Sequence, residues 1–307
     1  MIQERYKAQV DLLLRILPHV AREENLALKG GTAINLFIRN MPRLSVDIDL
    51  TYTRWQDDRA TALQNIAAAL DRITERLTVA LKPISISRVP EGQGQDVKLN
   101  CQTPEAHVKI EVNTTTRGVL FPEKLLPVTD VVQKEFEKFA AIKVVAIEEL
   151  YGGKICAALD RQHPRDLFDV YHLLKNEGIT EQIKNGFLMF LLSHYRPMQE
   201  LLQPHRLDQE ATFELQFKGM TSDDFTYENY VQVREELIAG MKRSLTPNDK
   251  KFLLSFKQTT PAWELIKMDD LQHLPAVKWK LQNMQRLAAT NPNKHTELIR
   301  GLEAALT

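Results

Sequence analysis

Apolar residues recur along this chain in two rhythms, a mixed one in the first half and a helical one in the second. Between Tyr6 and Glu24, Val10, Leu13, Leu14, Leu17 and Val20 fall at helical spacing, which predicts an amphipathic helix with a kink or break at Pro18. Leu26-Ala-Leu28 reads as a short strand running into Gly30-Gly31-Thr32, and Ala33 to Ile38 as a helix ended by Asn40 and Pro42. From Val46 to Thr53 the period is two, with Val46, Ile48, Leu50 and Tyr52 alternating against Asp47, Asp49, Thr51 and Thr53. Asp57 to Leu77 returns to helical spacing. Strands follow at Ile84–Val89, Val97–Cys101 and Ala106–Thr114, with a turn at Pro90–Gln95. A helix is predicted over Ile147–Leu159, weakened by Gly152 and Gly153, and another from Pro164 to about Lys175. After Gly178 the pattern is helical to the end, broken by prolines and glycines. The expected fold class is therefore α+β: a mixed sheet with flanking helices over 1–178, then an α-helical domain over 179–307.

Composition narrows the class of protein. A chain of 307 residues with 43% hydrophobic and 26% charged residues is an ordinary globular protein of two domains or one large one. Its longest apolar runs, such as Phe187–Leu192, are too short to span a bilayer, and no secretion signal is read at the N-terminus. Cys101 and Cys156 have no metal-ligand spacing and are too few for a disulfide framework, so a reduced cytoplasm is the expected location. The formal net charge is zero, so any contact with nucleic acid must be local.

The chemistry concentrates in Lys29-Gly30-Gly31-Thr32, fourteen intervening residues, and Asp47-Ile48-Asp49. Alternation on a strand puts Asp47 and Asp49 on one face, about 6–7 Å apart, with Ile48 on the other. Carboxylate oxygens suit Mg²⁺, which keeps its other positions for water and substrate phosphates. Two such ions about 3.5–4 Å apart would clamp an in-line phosphoryl displacement. Glycine backbone at Gly30 and Gly31, the amides opening the next helix and the Thr32 hydroxyl suit a phosphate. Glu111, alternating with apolar neighbours in Val108–Val112, is the candidate third metal ligand.

A second cluster comprises Lys154, Arg161, Arg165, Asp166 and Asp169. On spacing alone, Asp166 and Asp169 suit the positive end of their own helix, with Arg161 and Arg165 as ion-pair partners. The other reading has Lys154 neutralising a triphosphate and Asp169 holding that lysine. Two basic stretches, Lys242, Arg243, Lys250, Lys251 and Lys257, then Lys278, Lys280, Arg286, Lys294 and Arg300, are candidates either for RNA phosphates or for solvated faces. Trp263 and Trp279 read as core residues.

Together, Lys29-Gly-Gly-Thr-Ala-Ile-Asn-Leu36, Arg43-Leu-Ser-Val-Asp-Ile-Asp49 and Lys154-x6-Arg161-x3-Arg165-Asp-x2-Asp169 resemble the AbiEii/AbiGii abortive-infection toxins, nucleotidyltransferase-like proteins of the DNA polymerase β superfamily related to the MenT toxins. Phe217-Lys-Gly-Met220, Pro261-Ala-Trp263 and Leu274–Lys280 resemble that family's helical half. The resemblance implies a toxin of a toxin–antitoxin pair, active in phage defence, that adds nucleotides from a nucleoside triphosphate to RNA, notably the tRNA 3′ end, and so blocks translation. It implies Mg²⁺ as cofactor and a cognate antitoxin as partner, acting with or without direct contact, and no membrane; the helical domain over 179–307, with its basic stretches, is then the candidate RNA or antitoxin contact. It places Lys29, Gly30, Gly31, Thr32, Lys154 and Arg165 on nucleotide, Asp47 and Asp49 on metal, and Lys154 and Asp169 among the catalytic residues. Transfer to a protein or small-molecule acceptor, or a non-catalytic nucleotide-binding regulator, are the alternatives.

Overall fold

The computed structural model describes residues 4–91 and 95–307, and its contacts divide the chain into two compact units. The first comprises Met1–Ala146 together with Lys218–Asp224, and the second Ile147–Phe217 with Phe225–Thr307. The turn expected at Pro90–Gln95 centres on residues outside the described ones.

The first unit is built on a seven-stranded sheet. In chain order its elements are α1 (Glu4–Val20), β1 (Leu26–Lys29), α2 (Gly30–Ala33, running on as a π-helical turn over Ile34–Ile38), β2 (Asp47–Tyr52) and α3 (Arg59–Ala80). Then come β3 (Ser85–Glu91), β4 (Gln95–Gln102), β5 (His107–Asn113), β6 (Lys124–Pro127), α4 (Asp130–Phe136) and β7 (Ala141–Val144). The strand order is β3-β4-β5-β2-β1-β7-β6, with β2–β5 and β1–β7 parallel and the remaining pairs antiparallel. Ile48, Leu50, Val108, Ile110 and Leu99 point to one face and are fully buried. Tyr52 shares their parity, and its hydroxyl meets Asp57 and Asn65 at the start of α3, which fixes that face as the one α3 covers. Asp58 caps α3 by accepting from the Thr61 amide at 2.8 Å. The alternate residues of β2, β4 and β5 emerge on the opposite face. Lys218–Asp224 joins this unit through Leu44, whose amide donates to Met220 O, and Thr221, whose hydroxyl donates to Pro42 O.

The second unit is helical: α5 (Ile147–Arg161), α6 (Pro164–Asn176), α7 (Glu181–Ser193), α8 (Met198–Leu202), α9 (Glu210–Thr212, followed by a π-helical turn over Phe213–Phe217), α10 (Tyr227–Ser244), α11 (Pro247–Lys257), α12 (Pro275–Thr290) and α13 (Pro292–Leu306). Thr226 and Thr246 open α10 and α11 with capping boxes. Phe168, Phe213, Phe217, Phe225 and Tyr230 form a continuous ring cluster between α6, the π turn and α10.

The units divide at Ala146, whereas the change of rhythm in the sequence lies near 178. The physical reason is the packing of α5 on α7, which draws Ile147–Asn176 into the helical unit. The glycines that weaken α5 on propensity serve this contact. A Cβ on Gly152 would sit 2.3 Å from the Gly186 carbonyl carbon, and one on Gly186 would sit 1.9 Å from Glu148 O. Gly186→Ala is therefore expected to destabilise by about 1–3 kcal/mol through overpacking. Urea unfolding measures this, and a loss below about 0.5 kcal/mol would mean that the two helices separate at little cost.

Candidate active site

The turn after β1 and the carboxylate strand are built against each other. Gly30 has φ +74°, a conformation costly for side chains, and a Cβ there would lie 2.7 Å from Asp49 Oδ2. Only glycine lets the turn approach the carboxylate so closely. Arg43 Nη2 and Ser45 Oγ close over Gly31, 2.7 and 3.0 Å from its Cβ position. Thr32, expected to meet phosphate, is buried, with its hydroxyl donating to Asp47 O and lying 3.0 Å from Ser45 Oγ. Its place in the structure is to tie the glycine turn to the start of β2.

Sheet register sets the charged side chains in rows. Lys98 on β4, Glu111 on β5, Asp49 on β2 and Lys29 on β1 are consecutive register partners on four adjacent strands. Asn100, Lys109 and Asp47 form the next row. Burial raises the pKa of the Asp49 carboxyl; Lys29 opposes that rise and Asp47 adds to it. Glu111, expected as a third metal ligand, has its carboxylate on two lysines: Lys98 Nζ at 3.2 Å and Lys109 Nζ at 3.0 Å. Burial alone would raise its pKa, but these lysines hold it below the usual glutamate value.

Hard divalent ions require oxygen donors, and Asp47 and Asp49 present them two residues apart on one face. Among the described residues no three His, Cys, Asp or Glu side chains converge as a ready-made metal cluster, and the Glu111 carboxylate is paired with its lysines. The pair fits an ion that keeps waters and completes its shell with substrate phosphates. The thiols offer no alternative: Cys101 and Cys156 are buried, and burial pushes the Cys101 pKa up to about 12.

Lys154 and Asp169 belong to the helical unit. Lys154, on α5, is buried between two carboxylates of the first turns of α6, Asp166 Oδ1 at 2.8 Å and Asp169 Oδ2 at 2.9 Å. Arg161 adds a second cation to Asp166, with Nε at 2.6 Å and Nη2 at 3.1 Å. Burial would raise the Asp166 pKa, but Lys154 and Arg161 hold it far below the ordinary carboxylate range. The Arg161–Asp166 pair follows the ion-pair reading of the spacing, and the Lys154–Asp169 pair is the contact that the other reading asks for. Pro164 and His163 set the helix start, His163 Nδ1 accepting from the Arg165 amide at 3.1 Å.

The two basic stretches are not uniformly superficial. Lys257 is buried, and Lys280 donates to the carbonyls of Leu191, His194 and Arg196 at 2.9, 2.7 and 2.9 Å, closing the C-terminal end of α7. Burial pulls the Lys280 pKa down to about 7, while three carbonyls match its three N–H groups. Neither cation is displayed to a phosphate backbone. Trp263 packs on Phe252 and Phe256 but is only half-buried, and Trp279 is 58% exposed, so neither is the core residue expected.

Arg43, Ser45, Lys98 and Lys109 are the members of these clusters that the sequence did not single out as site residues, and Asp166 was read only as a carboxylate at its own helix end. Strand parity identifies the face of Lys98 and Lys109; their rows follow only from the register.

The chain superposes on MenT4, a nucleotidyltransferase toxin from Mycobacterium tuberculosis H37Rv, with a TM-score of 0.59 at 15% identity, covering 92% of this chain and 95% of that one. At that identity the likeness establishes the fold. No curated protein sequence matches the chain. Among the described residues no helix is long and apolar enough to cross a membrane. The family model of the nucleotidyl transferase AbiEii toxin matches residues 11–283. The glycine turn set against paired carboxylates thus lies within that span, and the chain belongs to the AbiEii nucleotidyl transferase toxins of Type IV toxin–antitoxin systems.

Proposed function

We propose that this toxin is a Mg²⁺-dependent enzyme of the cytoplasm that adds nucleotides from a nucleoside triphosphate to the 3′ end of tRNA. Translation then stops, which serves phage defence, and a cognate antitoxin restrains the enzyme. The observation that carries the reading is the seating of the Asp49 carboxylate against Gly30, with Asp47 on the same sheet face.

Asp47 and Asp49 would hold the divalent ion, which supplies Lewis-acid stabilisation of the transferring phosphoryl group. The acceptor hydroxyl oxygen forms a bond to the α-phosphorus as its proton passes to solvent, and the bond from that phosphorus to the pyrophosphate oxygen breaks, its electron pair leaving with pyrophosphate. Asp47 and Asp49 keep the reacting groups in line, and Lys29, in register with Asp49, puts positive charge beside the arriving phosphates. Thr32 preserves the geometry by locking the turn to β2. Lys154 acts as a positioning residue for the first turns of α6, with Asp169 and Asp166 as its anchors.

The test is transfer itself. Purified protein is incubated with Mg²⁺, total RNA and protein from a bacterial lysate, and each α-labelled triphosphate in turn, with Asp49→Ala alongside. Label in the tRNA band from the wild type alone is the expected outcome. Label in protein moves the acceptor to a protein hydroxyl, and no label with any triphosphate leaves a nucleotide-binding regulator.

A further inference from the structure

The sheet face that carries the paired carboxylates carries as many lysines. Asp47, Asp49 and Glu111 stand among Lys29, Lys98 and Lys109 on four adjacent strands. The two oxygens of Glu111 are divided between Lys98 and Lys109, at 3.2 and 3.0 Å. Lys109 is also the register partner of Asp47, and Lys29 that of Asp49, across strands about 4.8 Å apart. The formal charge of the cluster is zero. A bare divalent ion approaching the two aspartates gains their attraction and meets the repulsion of two neighbouring ammonium groups, which at such distances is of the same order. An ion already bound to a triphosphate carries net negative charge, and the same lysines attract it.

We propose that Lys109, flanked by Lys29 and Lys98, is the resident counter-charge of this site, so that the divalent ion is retained only as its nucleoside triphosphate complex. This rests on the reading of Asp47 and Asp49 as ion ligands. It makes Lys109 a residue that sets what the site accepts: the metal–nucleotide complex, and not the free metal. Nucleotide binding and metal loading become one event, and the empty site does not collect cations.

The test reads binding and not turnover. Mn²⁺ is titrated into the full chain without nucleotide, and the bound fraction is followed by electron paramagnetic resonance. Lys109→Met is expected to tighten Mn²⁺ binding about tenfold over wild type, and Lys109→Arg, which keeps the charge, to stay within about twofold. Lys109→Gln is read in the same way should the methionine variant fail to fold. The α,β-methylene analogues of ATP, CTP, GTP and UTP are then added in turn to wild type. At least one is expected to bring Mn²⁺ onto the protein at a concentration where the bare ion is not retained. An Asp49-dependent Mn²⁺ site whose affinity is the same in Lys109→Met and wild type overturns the proposal and leaves the functional reading standing. Retention of bare Mn²⁺ as tight as that of every complex also overturns it. Mn²⁺ binding that survives Asp49→Ala removes the assigned ion site, and both readings fall together.

Discussion

Asp49→Asn is expected to lower nucleotide transfer on the order of a thousandfold or more while leaving stability at pH 7 equal to wild type or above it. The activity loss follows from replacing an anionic oxygen donor by an amide beside Gly30. The stability side follows from the raised pKa of Asp49, whose first cause is burial. An acid whose folded pKa lies above its unfolded value costs stability as pH rises through that interval, and the deficit persists at every higher pH. Asparagine carries no such cost and is nearly the same shape. Urea unfolding at pH 7 alongside the transfer assay separates the two effects. A variant that loses transfer together with more than about 1 kcal/mol of stability would show that Asp49 holds the fold, not the chemistry.

The largest stability effect is expected at Lys154. Lys154→Met leaves Asp169 buried without the cation that lies 2.9 Å from it, while Asp166 retains Arg161. Breaking a buried pair by removing one partner costs about 3–5 kcal/mol, because the remaining buried charge loses the cation that offset its desolvation. The pH dependence has a definite sign. Asp166 has a folded pKa below its unfolded value, so its contribution is present above the ordinary carboxylate range and fades as the pH falls below it. The gap between wild type and Lys154→Met should accordingly be full at pH 7 and shrink on acidification. A variant with wild-type unfolding but lost nucleotide binding would instead return Lys154 to direct contact with the triphosphate.

What the sequence disclosed tracks the range of the interactions involved. The alternation of Asp47, Ile48, Asp49 and Leu50 is local, and the strand, its two faces and the carboxylate pair could all be read from it. The glycine turn was legible for the same reason. The rows of Lys98, Glu111, Asp49 and Lys29 were not, because they depend on which residue of β5 lies beside which residue of β2 in a parallel pairing with a long connection. The strands β6 and β7 went unread because each has four residues, and β6 lies at the sheet edge with Leu125 exposed, so no buried stripe marks it. Counting charges left Lys257 and Lys280 open as RNA-facing or solvated residues, since spacing carries no information about the burial of Lys257 or about carbonyls eighty-four to eighty-nine residues away that accept from Lys280. The change of rhythm near 178 and the division by contacts at Ala146 differ for a related reason. Propensity treats Gly152 as a weak point of a helix, when its missing side chain is what brings Ile147–Arg161 onto Glu181–Ser193.

The seven residues Lys218–Asp224, which leave the helical unit and bond to Pro42 and Leu44 before the chain returns, bear on how the molecule can be cut. No single scission yields either half with its own contacts. A fragment ending at Ala146 lacks the segment that the Leu44 amide and the Pro42 carbonyl require, and a fragment beginning at Ile147 carries that segment away from them. Biosynthesis meets the same constraint: the loop bearing Arg43 and Ser45 emerges long before the stretch that completes its bonding, so this side of the glycine turn is finished only after two-thirds of the polypeptide has been made.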